Sequence, residues 1–127
     1  LKESLTNYLI ANNLLQNEPL IQIELAHTLI NIDNKKSIQN ATKLLLKAKV
    51  NEPKNNKLWY LLSIAYGKNS EIDKSRYASA YSAYLKGDDA LAINFIERAK
   101  KITKKNSQTW KKLIELENKI NLKKNKK

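Results

Sequence analysis

The sequence predicts an all-α domain of antiparallel helical hairpins, about seven helices in all. Three observations predict it. Apolar residues recur at three- and four-residue spacing along nearly the whole chain, as in Trp59, Leu62, Ser63 and Tyr66. Only two Gly and two Pro occur in 127 residues, too little turn material for many short strands. Leu, Ala, Lys, Glu and Asn dominate the periodic segments. A chain of this length holds one domain with one core, and an apolar content of 42% excludes disorder throughout.

Each helix has its own signals. Residues 1–16 place Leu1, Ser4, Leu5, Tyr8, Ala11 and Leu15 on one face, and the pattern stops before Glu18-Pro19. Proline suits the first turn of a helix, so the next is expected over about 20–32, with Leu25, Ala26, Leu29 and Ile32 inward. Asp33-Asn34-Lys35-Lys36 reads as a loop. A helix over about 37–50 buries Ile38, Ala41, Leu45 and Ala48 and is ended by Asn51-Glu52-Pro53, since a residue before proline is pushed out of the α region. The helix over 55–67 is expected to stop at Gly67, which is free to take positive φ. Two more follow over about 71–86 and 89–102, turning at Gly87-Asp88. The last spans about 107–121 with Ser107 as its N-cap. Residues 1–121 are thus the helical domain and 122–127 a basic, frayed tail.

The charge is +12 and uneven: residues 98–127 carry 12 Lys/Arg against 2 Asp/Glu, whereas residues 1–97 carry 12 against 10. Lys outnumbers Arg by 22 to 2, and Arg is the residue preferred for bidentate phosphate contacts. No Cys is present, which excludes disulfide and thiol chemistry and leaves the compartment open. No run of about 18 apolar residues exists. The chain opens on Leu inside a helical pattern and reads as a piece of a longer protein.

The helices repeat. Tyr8 and Ala11 precede Pro19; Ala41, Leu45 and Ala48 precede Pro53 roughly 34 to 37 residues later; Ala92, Ile96 and Ala99 follow in a third unit. Trp59, Leu62, Ser63 and Tyr66 supply the large and small positions of a first helix, and Trp110 reopens the pattern. This resembles the tetratricopeptide repeat, and implies an α-α superhelix. Departures are Ser63 for Gly, Lys104 for Pro, and a loop at 33–37 about three residues long for the pattern. In the register of Trp59, Ser75, Ser79 and Ser82 stand where Ala, a large residue and Ala belong. A change of helix phase is therefore expected between the helices at 55–67 and 71–86.

A narrower resemblance rests on Leu58–Gly67, Ala78-Ser79-Ala80, Tyr84–Asp88, Ala92 with Glu97-Arg98-Ala99, and Ser107 with Trp110. Pro19–Ala26 also fits. Together these are similar to the C-terminal repeats of bacterial periplasmic zinc metallopeptidases of the BepA-like kind. That resemblance implies a non-catalytic protein-interaction domain in the periplasm, serving outer-membrane protein quality control. Its partners would be its own protease domain and outer-membrane proteins or their assembly machinery. Zinc would belong to an upstream HExxH domain, so the chain itself is expected to hold no cofactor. A stand-alone adaptor and a basic repeat that binds nucleic acid are the alternatives, and a cytoplasmic location stays open.

The residues themselves carry no catalytic constellation. Glu24 and His27, at i and i+3, are half of a helical metal site without a second half. Asp88 and Asp89 read as helix-capping residues, and Asn40-Ala41-Thr42 as a sequon inside a helix. The residues expected to meet a partner are Tyr60 and Ile64, at positions that face the inner side of such repeats, then His27, and the tyrosine series Tyr77, Tyr81 and Tyr84, whose bland reading is core packing. The Lys-rich C-terminus suits a solvated helix end or a peripheral contact with an anionic membrane. No aromatic platform interleaves these lysines in sequence, so nucleic acid is not expected. Lys and Asn four apart, as in repeats that clamp a peptide's terminal carboxylate, are not found on one first helix, and that ligand is not predicted.

Overall fold

The computed structural model describes residues 18–125, so the helix expected over 1–16 lies outside the described residues. Among the described residues there are six α-helices and no strand. They are α1 (Pro19–Ile32), α2 (Lys35–Lys49), α3 (Asn56–Lys68), α4 (Ile72–Leu85), α5 (Asp89–Ile102) and α6 (Gln108–Asn125).

The ends of these helices follow from local chemistry. Pro19 opens α1, and the chain leaves it through Asp33, which takes φ 58° while its N–H donates to Leu29 O. The connection to α2 is only Asp33-Asn34, shorter than the loop expected, because Asn34 is itself the cap. Its Oδ1 accepts from the Ser37 N–H at 2.8 Å, and its own N–H donates to Ser37 Oγ at 3.0 Å. This is a reciprocal capping box with Ser in place of the usual Glu or Gln. Asn55 caps α3 and Asp88 caps α5, each accepting from the N–H three residues on. Ser107 Oγ likewise accepts from the Trp110 N–H at 3.1 Å.

Two further boundaries differ from expectation. Gly67 does not stop α3. The helix runs on to Lys68, and Ser70, at φ 63°, makes the turn. The Glu71 N–H then reaches Tyr66 O and the Ser70 N–H reaches Gly67 O, a Schellman ending with Ser at the left-handed position. Gly87, at φ 83°, makes the same ending for α4. The last helix also continues past residue 121 to Asn125, so most of the expected tail is helical.

Neighbouring helices run antiparallel. Ser75 Oγ donates to Ser63 O at 2.7 Å and Ser82 Oγ donates to Asn56 Oδ1 at 2.8 Å, so the start of α4 meets the end of α3 and the reverse. Lys100–Glu117 and Lys123–Asp89 pair α5 with α6 in the same sense. By contrast α1 and α3 are parallel. Glu24 meets Lys57, 33 residues on, and Asp33 meets Lys68, 35 residues on.

The core divides at α4. One cluster joins Ile23, Leu25, Leu45, Leu58, Trp59 and their neighbours from α1, α2 and α3 with Ala78 of α4. The other joins Ala80 and Ala83 of α4 with Ala92, Ile96, Leu113 and Ile120. Tyr77 and Tyr81 pack against both. Next-nearest contacts follow the same division: α1 approaches α3, and α4 approaches α6, whereas α3 makes no close backbone approach to α5. The division falls at α4, the helix that carries Ser75, Ser79 and Ser82.

Candidate functional site

The α3–α4 seam generates the surfaces around it. Ser75, Ala78, Ser79 and Ser82 lie at i, i+3, i+4 and i+7, one stripe of small residues on α4. Small side chains let the two helices approach closely, and two of the hydroxyls are satisfied on α3. These serines are therefore an alternative small-residue helix contact. Gly67 belongs to the same contact: a Cβ there would meet Ser75 Oγ at 3.3 Å.

The rings of α4 turn toward Trp59. Tyr81 stacks on its indole with centroids 4.2 Å apart, and Tyr77 meets it edge-on at 5.9 Å. Lys49 Nζ lies 5.5 Å from the Trp59 ring centroid, and Trp59 Nε1 donates to Pro53 O at 2.8 Å. Trp59 is 6% exposed, with its polar atom satisfied and its ring engaged by three neighbours. Tyr84 continues the series, edge-on to Tyr81 at 5.8 Å. Tyr77, Tyr81 and Tyr84 are each half-buried. Burial, together with the electrostatic effects of the Tyr81 phenol and the Glu115 carboxylate, pushes the Tyr77 phenol well above the usual tyrosine range.

Of the residues expected to meet a partner, Tyr77, Tyr81 and Tyr84 form one series of ring contacts, and Tyr60, Ile64 and His27 are not part of it. Ile64 is half-buried and packs against the first cluster. His27 is half-buried on α1, and Glu24, one turn before it, is engaged by Lys57 of α3. Among the described residues, no three of His, Asp and Glu gather as a metal site would require. Tyr60 alone stands well clear, 54% exposed. It lines a groove of about 340 Å³ between α3, α4 and α5. Ser63, Ser79 and Ser82 give this groove hydroxyls; Leu91, 44% exposed, and Phe95 line it from α5.

No family model, curated protein or solved structure matches this chain.

A second cleft, of about 310 Å³, opens where α2, α3, α4 and α6 meet. Trp59, Tyr66 and Tyr77 contribute rings to it, and Lys49, Lys74 and Lys112 contribute charge. Lys74 is held by Glu71 at 3.1 Å. Lys49 and Lys112 form no salt bridge among the described residues. Burial, reinforced by the charge of Lys112, lowers the pKa of Lys49. Sequence reading missed this cleft, because its lysines come from α2, α4 and α6 and no local pattern links them. It also missed that the fold seats lysines on rings: Lys74 on Tyr66, Lys100 on Trp110 and Lys123 on Tyr84, besides Lys49 on Trp59.

Proposed function

We propose that this chain is a non-catalytic scaffold of tetratricopeptide-like hairpins that binds protein. The groove between α3, α4 and α5 carries the reading. Tyr60 and Leu91 leave large apolar side chains open to solvent at a concave site, while the Ser79 hydroxyl beside them offers a hydrogen-bond partner, those of Ser63 and Ser82 being donated to Tyr60 O and Asn56 Oδ1. Such a groove suits an extended peptide, with apolar contact for its side chains and a hydroxyl for its backbone. The parallel register of α1 and α3, 33 and 35 residues apart at their ion pairs, supports the repeat reading.

The test is selection of a displayed peptide library on the intact chain. Enriched peptides should bind at least roughly tenfold more weakly to Tyr60→Ala or Leu91→Ala, in line with loss of an interface anchor. The melting curve should stay almost unchanged, since both residues are exposed. Peptides that fail to discriminate these variants would remove the groove from the reading.

The resemblance of Leu58–Gly67 and the segments after it to the repeats of periplasmic zinc metallopeptidases extends the proposal. In that setting the scaffold docks on a zinc peptidase domain and presents clients of the outer membrane to it. The upstream coding sequence decides this point. An HExxH helix behind a signal peptide supports it; an upstream region without one leaves a stand-alone adaptor.

A further inference from the structure

We propose that the cleft where α2, α3, α4 and α6 meet is a second partner site, and that it takes an acidic segment of a protein. Carboxylates of that segment would sit between Lys49 and Lys112, and an aliphatic side chain beside Leu46. The inference rests on the scaffold reading but on a different groove.

Charge carries the argument. Three of the cleft's ten lining residues are lysines and none is a carboxylate. Glu71 answers Lys74, whereas Lys49 and Lys112 line the cleft without a salt bridge among the described residues, and the nearby Glu115 carboxylate acts on Tyr77 rather than pairing with either. Two cations in a recess partly shielded from water repel one another, and an anion between them reverses the sign of that interaction. Lys49 comes from the first core's stack and Lys112 from the second, so an occupant would also tie the two together.

Shape and polarity select the class of anion. Leu46 lines the cleft, and Val50, the residue that ends α2 beyond the cleft's lining, is 77% exposed. Apolar contact beside paired cations matches a segment that alternates acidic and aliphatic residues. A nucleobase would need a free ring face, but the Trp59 ring is already engaged by Tyr81 and Lys49, and Lys74 lies by Tyr66. A membrane surface would meet the exposed lysines of α6 before it reached a recess between four helices.

The experiment titrates the intact chain with a labelled glutamate-leucine peptide, the matching glutamine-leucine peptide, and an oligonucleotide of equal charge. The glutamate peptide should bind, and the glutamine peptide should bind roughly tenfold more weakly or worse. Lys112→Glu and the milder Lys112→Gln should each weaken the glutamate peptide, the former by roughly tenfold. Both changes sit on an exposed residue, and circular dichroism verifies the fold. A control pair, Lys104→Glu with Lys105→Glu, should bind as the parent does. Equal binding of the two peptides, equal loss in the control pair, or an oligonucleotide that binds as tightly through Lys112 would each overturn the assignment. Peptides selected at Tyr60 that remain bound in Lys112→Glu would leave the scaffold reading standing by itself.

Discussion

Trp59 of α3 and Tyr81 of α4 stack with ring centroids 4.2 Å apart and planes inclined by 25°. The pair joins the first core to the helix at which the core divides. It gives α4, otherwise faced with serine and alanine toward α3, a large apolar contact with the first core. Trp59→Ala should therefore cost about 3–5 kcal/mol, the range for removing a buried indole. Trp59→Phe keeps a ring on Tyr81 and loses the bond to Pro53 O, and should cost less, although the smaller ring also leaves space. Urea denaturation of both variants checks the order.

Gly67 and Ser75 should be energetically coupled. Alanine at 67 gains helix propensity, about 1 kcal/mol, but its Cβ meets Ser75 Oγ at 3.3 Å. That hydroxyl is held by Ser63 O and resists displacement. Gly67→Ala is expected to be more favourable in a Ser75→Ala background, with a coupling of at least about 0.5 kcal/mol. Additive effects in the double-mutant cycle would mean that the seam yields freely.

The two Schellman endings offer opposite outcomes. Gly87 sits at φ 83° with nothing within 4 Å of a would-be Cβ, so Gly87→Ala costs only backbone strain, about 1–2 kcal/mol. Ser70 already bears that strain at φ 63°. Ser70→Gly should raise stability, by up to about 1 kcal/mol once the extra freedom of unfolded glycine is counted. Thermal melts of the two variants should move in opposite directions.

Alkaline pH should weaken the fold through Tyr77. Its folded pKa lies above that of the unfolded chain, where a tyrosine ionises near pH ~10. The resulting stability is fully present below that pH. It is lost as pH rises beyond it, because the unfolded chain then releases a proton the fold retains. Tyr66 is shifted the same way, by burial and Glu71 against the opposing charge of Lys74. Tyr77→Phe should flatten the fall of Tm above pH ~10, which melts taken across that range would show.

The helices were legible because periodic apolar faces and local caps coincide, as at Ser107 before Trp110 and at Asn51–Pro53 after α2. Tyr60 was legible as a surface ring from its helical position. Gly67 was misread because a small residue can serve either a turn or a close approach, and only the position of Ser75 decides between them. The serines of α4 marked this helix as unlike its neighbours, yet the bonds of Ser75 and Ser82 to Ser63 and Asn56 depend on a partner helix. Lys49 and Lys112 were invisible as a pair. Their neighbourhood is created by tertiary packing, and Lys112 alone read as one more residue of a basic end.

The double membership of α4 has a consequence for how the molecule opens. Its Ala78 belongs to one core, Ala80 and Ala83 to the other, and Tyr77 and Tyr81 touch both. Local unfolding of either stack leaves α4 still packed on the opposite side. In native-state hydrogen exchange, the α4 amides should therefore be the slowest, with α1–α2 and α5–α6 exchanging as two separate cooperative units on either side of a shared strut.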